Sequence, residues 1–575
     1  MIFLSAQPDT VYFTWQLEIQ LKNFSAMKIN PDEIHVLFSY DPRKGLSYKA
    51  QDLIENYSAF ANFYAYPDTR SNKNYLSTVR PHIIKQHYIK NDYLKNENIF
   101  YHDSDIIFTE KLPDFNRLNK GKVWYFSDTR SYLSSSFIIN TAGKMAFREM
   151  CNTLRIDPNI VISNDSNSGG AQALIKKVDY LFWEKIETDC ENLFALLLTS
   201  QDRYREDFQK SNANSKRKFI PLVAWCADMW VLLWNSFNIS TVKLDKDLDF
   251  SWPTTPLELW GKYNIFHNAG VTADMATSLF YKSHFMTYEP FDCDFSHLKK
   301  DNCGYRYVEQ LSELRKKRYN IKDCSVIITV RIEHEDRLEN LKTIIAFLDK
   351  FFQANIYLLE ADDSPKVPKE ILNENVHYIF IKDVNPLFKR QFYSNYLAKV
   401  TTTDIVIKYD CDVVFPPSQL YNAILKVRYG ETKICYPYDG AFVNIKGVLR
   451  QHFITHLDMS FVLKYLSKVT NHTPSYGGCV ILNKESFEDL GLDNENFNGW
   501  GFEDQELHKR YKIMNYKIMR VTGPLIHLNH FRSKNSTFFT PDEMINSYKE
   551  YIKICNMTRE QLTKQISTWK SQKTI

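Results

Sequence analysis

The sequence predicts an α/β protein with two domains in tandem, each built on a mixed, mostly parallel sheet flanked by helices. Three observations favour this fold class. The 575 residues exceed what one hydrophobic core usually organises. Two short apolar runs, 1–4 and 325–330, are each followed by a polar turn and a helical pattern, as buried parallel strands are. Each half then reaches a pair of aspartates at the end of a later apolar run.

Four segments are predicted along the chain. They are a first domain at 1–285, a linker with a short helix at 286–322, a second domain at 323–535 and a C-terminal helical extension at 536–575. The helix of this extension is predicted to start with Thr540 and Pro541, an N-cap and a first-turn proline, before an amphipathic run over 544–569. The sequence leaves open whether this helix closes over the second domain or mediates self-association.

Composition and charge exclude several classes of protein. Hydrophobic residues make up 44% and charged residues 24% of the chain, which argues against extensive disorder. The net charge of +4 is too small for a dedicated nucleic-acid partner. Ten cysteines occur without a CxxC pair, which favours a reducing compartment over a zinc site or a disulfide framework. No apolar run is long enough to span a bilayer. We therefore expect a cytoplasmic protein, bacterial or in the host cell of a virus, with at most peripheral membrane attachment.

The aspartate pairs are the first chemical signal. Asp410 and Asp412 follow one apolar run, and Asp103 and Asp105 follow another. Alternation along a strand sends residues two apart to the same side, so we expect each pair to converge at a strand end. Two carboxylates held together repel each other, and Mg²⁺ or Mn²⁺ relieves this repulsion and also binds diphosphate oxygens. A D-x-D triplet alone is weak evidence, because it also marks polar strand ends and turns.

Five sequence pieces occur in a fixed order in the second half. They are Val330-Arg331 with Arg337, Phe388-Lys389-Arg390 with Asn395, Asp410-Cys411-Asp412, Tyr476-Gly477-Gly478, and Asn498-Gly499-Trp500-Gly501-Phe502-Glu503-Asp504. With them, residues 324–535 resemble the β-1,4-galactosyltransferase and chondroitin-polymerase group of inverting glycosyltransferases. That group has the GT-A fold, a Rossmann-like α/β fold. The resemblance implies metal-dependent transfer of a sugar from a nucleotide donor, with UDP as the expected nucleotide.

The resemblance also implies roles for individual residues. Asp504 is expected to be the general base that takes the proton of the acceptor hydroxyl, and Glu503 to bind a sugar beside it. Trp500 would form the floor of the acceptor site. Donor or acceptor contacts are further expected from Arg331, Arg337, Arg390, Asn395, Tyr476, Gly477 and Gly478. Phe502 and Gln505 stand where the group usually has glycine and an acid, so the identity of the acceptor does not transfer.

The remaining metal ligand implied by the resemblance is a histidine. His527 and His530 both lie at the expected distance, and His527 is slightly preferred because it is nearer the end of an apolar run. Chemistry alone leaves simpler readings open for the neighbouring residues. Arg390 offers a forked cation to a diphosphate, yet it could equally form an ordinary ion pair. The adjacent glycines let backbone approach a sugar, yet a turn would also use them.

The first half resembles, more distantly, a divergent GT-A domain similar in layout to family-8-like and plant peptidyl-galactosyltransferase-like enzymes. The signals are 102–105, the turn-like 167–172, the helix-like 227–230, and 266–271. The resemblance implies that His267 joins Asp103 and Asp105 on a metal. It also implies donor or acceptor contacts from Gly169, Gly170, Gln172, Asp228 and Gly270. On its own, Asp228 reads equally as the solvated side of an apolar helix.

The leading hypothesis is a bifunctional glycosyltransferase with one Mn²⁺ or Mg²⁺ in each active domain. It would add two sugars from nucleotide donors to a glycan acceptor, and a tandem arrangement would keep the acceptor end at a high effective concentration near both sites. Three alternatives stay open: one active domain beside an inactive acceptor-binding domain, a metal-dependent nucleotidyl- or phosphotransferase, and a lectin-like protein. The sequence does not decide whether the first half inverts or retains configuration, nor the oligomeric state.

Overall fold

A computed structural model describes residues 1–213, 217–291, 293, 295–315, 319–465, 474–497, 501–538 and 540–572. These residues divide into two compact units. Unit 1 comprises Met1–Pro290 and Phe295–Leu314, and unit 2 comprises Phe291–Asp294 and Arg315–Ile575. The segment predicted as a linker thus contributes most of its helix to unit 1, whereas Tyr319 already begins a strand of unit 2.

Unit 1 alternates strands and helices along the chain. Its strands are β1 Ile2–Pro8, β2 Ile34–Tyr40, β3 Asn62–Pro67, β4 Asn98–Tyr101, β5 Ile106–Phe108, β6 Trp124–Asp128, β7 Gly169–Lys176, β8 Val242–Leu244, β9 Phe250–Ser251 and β10 Ile265–His267. Its helices are α1 Val11–Ala26, α2 Tyr48–Tyr57, α3 Val79–Lys90, α4 Phe115–Leu118, α5 Arg130–Leu133, α6 Ser135–Thr141, α7 Lys144–Leu154, α8 Pro158–Ser163, α9 Tyr180–Thr199, α10 Gln201–Ser211, α11 Ala227–Ile239 and α12 Cys303–Arg315.

A seven-stranded sheet with the order β3-β2-β1-β4-β7-β6-β8 forms the centre of unit 1. Only β7 runs antiparallel to its neighbours in this sheet. Alternate residues of β1 enter different hydrophobic clusters, since Leu4 packs with Ile84 of α3 and Phe3 packs with Phe24 of α1. Helices therefore cover both faces of the sheet, which explains why β1 reads as a continuous apolar run. A smaller sheet has the order β5-β10-β9.

Unit 2 has the same alternation. Its strands are β11 Tyr319–Val330, β12 Phe352–Asp362, β13 Val376–Lys382, β14 Ile405–Tyr409, β15 Val413–Val414, β16 Ile434–Tyr436, β17 Phe442–Ile445, β18 Cys479–Asn483, β19 Ile518–Arg520 and β20 Leu525–Leu528. Its helices are α13 Glu335–Phe351, α14 Arg390–Val400, α15 Pro417–Arg428, α16 Gly447–His456, α17 Met459–Tyr465, α18 Lys484–Asp489, α19 Glu503–Ile513, α20 Pro541–Cys555 and α21 Arg559–Gln572.

The sheets of unit 2 repeat the strand orders of unit 1, except that β17 of the small sheet precedes β18 along the chain, whereas β9 follows β8. The large sheet has the order β13-β12-β11-β14-β18-β16-β19, with β18 as the antiparallel strand, and the small sheet has the order β15-β20-β17. In both small sheets the middle strand is antiparallel to the first and parallel to the last. The predicted mixed, mostly parallel α/β fold class is therefore confirmed.

The C-terminal extension forms two helices, α20 and α21, where the sequence predicted one amphipathic run. The first begins at the predicted N-cap, because the side chain of Thr540 accepts from the backbone of Glu543. The second is capped in turn by Thr558, whose hydroxyl accepts from the backbone of Gln561 (3.3 Å). Both helices pack on α19 of the same unit. Among the described residues, no helix combines the length and apolarity needed to cross a membrane.

Candidate active site

Asp410 and Asp412 lie in the short turn between β14 and β15, and not on one strand as predicted. β14 ends at Tyr409 and β15 begins at Val413. The backbone N–H of Asp410 donates to the carbonyl of Gly478 (2.8 Å), which fixes the turn against the neighbouring strand. Because the backbone turns between them, the two carboxylates meet different partners.

Asp412 forms a cluster with two histidines. β15 pairs antiparallel with β20 in the register Val413 to His527, which brings the end of β20 to the aspartate turn. The Oδ2 atom of Asp412 lies 3.1 Å from Nε2 of His530 and 3.8 Å from Nε2 of His527. All three residues are buried, and their candidate ligand atoms lie within 4.8 Å of one another. Burial would raise the pKa of Asp412, but the hydrogen bond from His530 and the neighbouring His527 outweigh it and lower the pKa to about 2.

Both imidazole rings are oriented by a second hydrogen bond. Nδ1 of His527 lies 2.8 Å from Oδ1 of Asn444, and Nδ1 of His530 lies 2.7 Å from the carbonyl oxygen of Phe531. These acceptors hold a proton on Nδ1, so Nε2 is the atom that can bind a cation in place of its own proton. A carboxylate and two imidazoles oriented in this way suit divalent cations such as Mn²⁺. The residues of the cluster therefore fit a divalent metal.

Arg390, the first residue of α14, neutralises the other carboxylate of the turn. Its guanidinium pairs with Asp410, and its Nη1 lies 3.6 Å from Oε1 of Glu503. Burial raises the pKa of Asp410 to about 6, with Arg390 opposing the shift. Burial, together with the neighbouring Asp504, raises the pKa of Glu503 to about 7. A guanidinium placed between carboxylates from the turn and from α19 is also positioned to meet a diphosphate.

These side chains line one cavity of about 380 Å³ in unit 2, a size that suits a small-molecule site. The predicted residues that line it are Arg337, Arg390, Asp410, Asp412, Tyr476, Gly477, Gly478, Glu503, Asp504, His527 and His530. Phe388, which belongs to a motif quoted above but was assigned no role, also lines the cavity, as do Phe442, Phe538 and Arg532, which sequence reasoning did not identify. Trp500, predicted as the acceptor floor, lies outside the described residues.

Two glycines shape the wall of the cavity. A Cβ atom at Gly477 would lie 2.6 Å from Oδ2 of Asp504, so a larger residue would displace that carboxylate. Gly478 has a φ of +90°, and a Cβ atom there would lie 2.5 Å from Cδ1 of Leu525. Asp504 is the second residue of α19, where the helix N-terminus stabilises a carboxylate. The cavity thus brings the predicted base and the candidate metal ligands to one site.

Two predicted contact residues are held by the protein and do not line the cavity. Arg331 donates to the carbonyls of Ala361 (2.9 Å) and Asn385 (2.6 Å), and it pairs with Asp383 at 2.6 Å. Asn395 exchanges hydrogen bonds with the backbone of residue 493 at 2.9 and 2.8 Å. Their geometry indicates that they position the loops around the cavity.

Unit 1 carries a related cluster of different composition. Asp103 and Asp105 lie in the turn between β4 and β5, again not on one strand, and β10 pairs with β5 in the register His267 to Ile106. Nε2 of His267 lies 3.3 Å from Oδ1 of Asp105 and 3.6 Å from Oδ2 of Asp103. The ammonium group of Lys282 also pairs with Asp105. Burial would raise the pKa of Asp105, but Lys282 and His267 outweigh it and hold the pKa well below its usual range.

Gln172 lies on the other side of the His267 ring. Its Nε2 atom is 3.5 Å from Nδ1 of His267, and its Oε1 atom is buried without a partner among the described residues. Exchanging the two amide atoms would give Oε1 the ring N–H as a donor. Gln172 would then orient His267 as Asn444 orients His527, so the unit 1 cluster also fits a divalent cation.

The predicted glycines of unit 1 have packing roles. Gly169 and Gly170 lie in strand β7, and not in a turn as predicted. A Cβ atom at Gly169 would lie 2.5 Å from Cβ of Phe126, so the neighbouring strand leaves no room for one. Gly270 has a φ of +81°, and a Cβ atom there would lie 3.2 Å from the Trp252 ring.

Asp228 is half-buried at the start of α11 and is not on the solvated side of the helix. Its Oδ1 atom accepts from the hydroxyl of Tyr75 (2.9 Å), and its Oδ2 atom lies 3.7 Å from Nη1 of Arg80. The same guanidinium pairs with Asp103. Burial raises the pKa of Asp228, and Arg80 opposes the shift. Arg80 therefore connects Asp228 to the aspartate turn.

Comparisons with known proteins gave one family match and several structural similarities. A family model described as the N-terminal domain of galactosyltransferase matches residues 459–534. No curated protein sequence matches the chain significantly. The catalytic domain of Drosophila β1,4-galactosyltransferase 7, solved with xylobiose, is 14% identical, with 40% of this chain and 79% of that chain covered and a TM-score of 0.25.

Two further solved structures are comparably similar. Mannosyltransferase PcManGT from Pyrobaculum calidifontis, solved with GDP-Man and Mn²⁺, is 13% identical, covers 43% of this chain and 68% of that chain, and has a TM-score of 0.27. Glucosyl-3-phosphoglycerate synthase from Mycobacterium tuberculosis, solved with Mn²⁺, UDP and phosphoglyceric acid, is 12% identical, covers 41% and 78%, and has a TM-score of 0.26. Similarities of this size carry no argument about the function of the chain.

The family match lies within unit 2 and contains much of the cavity wall. Tyr476, both glycines, Glu503, Asp504 and both histidines fall inside residues 459–534, and the aspartate turn precedes them. The resemblance of unit 1 to family-8-like enzymes stays a prediction. The prediction that the chain is a glycosyltransferase, similar to galactosyltransferases in its second half, is confirmed by this match.

Proposed function

We propose that the chain is a bifunctional, metal-dependent glycosyltransferase that adds two sugars from nucleotide donors to a glycan acceptor. The observation that carries the proposal is the repetition of one site in both units. In each unit an aspartate turn follows the fourth strand of the large sheet, and a histidine from the small sheet faces it. UDP is the expected nucleotide because of the sequence resemblance.

In unit 2 the donor diphosphate would lie between the aspartate turn and Arg390. Asp412, His527 and His530 would hold the divalent cation, which when bound neutralises charge on the departing nucleoside diphosphate. Arg390 and Arg337 line the same cavity and add positive charge beside the leaving group. Their guanidinium groups would keep the diphosphate oriented for displacement.

Asp504 would act as the base on the acceptor side of that cavity. The acceptor hydroxyl oxygen attacks the anomeric carbon of the donor while Asp504 takes the hydroxyl proton. The bond from that carbon to the diphosphate oxygen breaks, and attack opposite the leaving group inverts the configuration. Glu503, whose Oε2 accepts from the backbone N–H of Gly501 (2.8 Å), would bind a sugar hydroxyl beside the base.

One observation favours a second candidate function, in which only unit 2 is active. In unit 1 the Lys282 ammonium already neutralises Asp105. A lysine in that position competes with a metal for the carboxylate, so unit 1 would then serve as an inactive domain that binds acceptor. The two candidates differ in the number of sugar transfers that the chain performs.

Single substitutions in the full chain separate these candidates. Asp412→Asn and Asp105→Asn are assayed against a panel of UDP-sugars with Mn²⁺ and oligosaccharide acceptors, with products identified by mass spectrometry. Two active sites predict that each variant loses a different sugar addition. Asp404→Asn, an exposed change at the opposite end of β14, is the matched control and should retain both. If Asp105→Asn retains every transfer of the wild type, unit 1 is not a transferase.

A further inference from the structure

We propose that Asp228 is the general base of unit 1 and that this unit also inverts the configuration of the sugar it transfers. The inference rests on the proposed two-site function. The sequence motifs of unit 1 identify neither the catalytic base of this unit nor whether the transfer inverts or retains configuration, and the proposal assigns both.

The position of Asp228 in the fold is equivalent to that of Asp504. Helix α11 directly precedes β8, the last strand of the unit 1 sheet, as α19 directly precedes β19, the last strand of the unit 2 sheet. Asp228 is the second residue of its helix, as Asp504 is. In the first turn of α11 Asp228 is the only acidic residue, whereas α19 has Glu503, Asp504 and Glu506 there.

An arginine makes the same connection in both units. Arg80 lies at the start of α3, between β3 and β4, and Arg390 starts α14, between β13 and β14. Each arginine pairs with the first aspartate of its turn, Asp103 or Asp410. In unit 1 the carboxylate of the later helix that the arginine approaches is Asp228 itself, at 3.7 Å. In unit 2 it is Glu503, the neighbour of Asp504, at 3.6 Å. In both units the arginine thus links the aspartate turn to the carboxylate-bearing start of the later helix.

Asp228 has the surroundings that a base needs. Its side chain is 19% exposed and that of Asp103 is 29% exposed, so an acceptor can reach both from solvent. The hydroxyl of Tyr75 holds Oδ1, which leaves Oδ2 on the side of Arg80. Burial raises the pKa of Asp228, which favours proton uptake during transfer.

The reaction at this site balances without a further reactant. The acceptor hydroxyl oxygen forms a bond to the anomeric carbon of the nucleotide sugar, and the bond from that carbon to the diphosphate oxygen breaks. The hydroxyl proton moves to Asp228, and the nucleoside diphosphate leaves with the bonding electron pair. Attack from the face opposite the diphosphate gives the inverted anomer, and Asp228 later releases its proton to water.

The test uses the full chain in the Asp412→Asn background, in which any remaining transfer belongs to unit 1. The UDP-sugar that this variant still transfers with Mn²⁺ is the substrate for all measurements. Adding Asp228→Asn should lower kcat for that transfer by roughly 100- to 10,000-fold while leaving the KM for the donor within about threefold. Asp92→Asn, an exposed change in unit 1, is the matched control. Proton NMR of the product made by the Asp412→Asn chain should show the anomer opposite to that of the donor.

Each outcome decides the proposal. A retained anomer, or a loss of less than tenfold in kcat in Asp228→Asn, overturns it while leaving the two-site function intact. Complete loss of transfer in Asp412→Asn refutes both. If Asp228→Asn lowers the melting temperature, Asp228→Glu provides the decisive measurement. A folded glutamate variant should recover part of kcat because it keeps a carboxylate, and a folded glutamate variant that recovers none overturns the assignment.

Discussion

Two buried histidines should make the stability of unit 1 sensitive to mild acid. Nδ1 of His35 lies 2.9 Å from Nε2 of His87, and the hydroxyl of Tyr66 lies 2.7 Å from Nδ1 of His87. Burial lowers the pKa of His35 to about 4. Burial and the neighbouring His35 lower the pKa of His87 to about 3. Both rings are therefore neutral in the folded protein above pH 5.

The unfolded chain takes up protons that the folded chain excludes. With an unfolded pKa near 6.5 and a lower folded pKa, the stabilisation is complete well above pH 6.5 and is lost as the pH falls toward 4. When the pH falls from 7.5 to 5.5, each histidine should lower the free energy of unfolding of unit 1 by about 1.4 kcal/mol, and the pair should lower it by about 2.7 kcal/mol. His87→Gln removes one proton site and should halve this dependence.

Urea unfolding of the full chain at the two pH values measures the effect. The free energy of unfolding of the wild type minus that of His87→Gln should fall by about 1.4 kcal/mol on acidification. Any hydrogen bond that glutamine fails to replace contributes equally at both pH values and cancels. His297→Gln, an exposed change in unit 1, is the matched control. A pH-independent difference for His87→Gln would refute a buried neutral histidine pair.

Three further substitutions test the architecture of the unit 2 site. Asn444→Ala should weaken Mn²⁺ binding by roughly 10- to 100-fold, because the Asn444 amide orients the imidazole ring of His527. Electron paramagnetic resonance of free Mn²⁺ measures the affinity. An unchanged affinity would show that Asn444 does not orient a metal ligand. Gly478→Ala should lower stability by about 1–3 kcal/mol in urea unfolding, since its Cβ would meet Leu525. Gly430 also has a positive φ, but a Cβ atom there would meet no other atom, so Gly430→Ala should lower the stability by less. Asn395→Ala should destabilise unit 2 by about 1–3 kcal/mol and leave the KM for the donor unchanged. If the variant instead raises the KM and keeps the stability of the wild type, Asn395 contacts the donor.

Local sequence signals were sufficient for the fold class and for most of the cavity. Apolar runs predict β1 and β11 because both strands are buried on two faces, so their character does not depend on distant partners. The aspartate turns were recognised from composition, although their conformation was not. The same residue types occur at the end of a strand and in a turn that follows a buried strand, so the sequence does not distinguish the two conformations. They are distinguished by the pairing of the next short strand, β5 or β15, with the small sheet.

The residues whose placement was mispredicted all depend on contacts far along the chain. Gly169 sits among Asn and Ser, a pattern typical of a turn. In the structure it is a strand residue, because the approach of Phe126 demands glycine. Asn395 belongs to a recognisable motif, yet its hydrogen-bond partner lies 98 residues away. A motif shows that a residue matters and does not show whether it contacts substrate or holds the loop that does.

The relation between the two candidate metal-binding clusters also follows from register rather than from spacing. His267 pairs with Ile106, the residue after Asp105, and His527 pairs with Val413, the residue after Asp412, so the two histidines are equivalent. Three residues after these histidines, unit 1 has Gly270 and unit 2 has His530. Among the residues that the structure describes, the unit 1 cluster has no second imidazole, and Asp103 completes it. Two carboxylates and one imidazole form a harder donor set than one carboxylate and two imidazoles, so equivalent positions in the two units offer a divalent cation different chemistry.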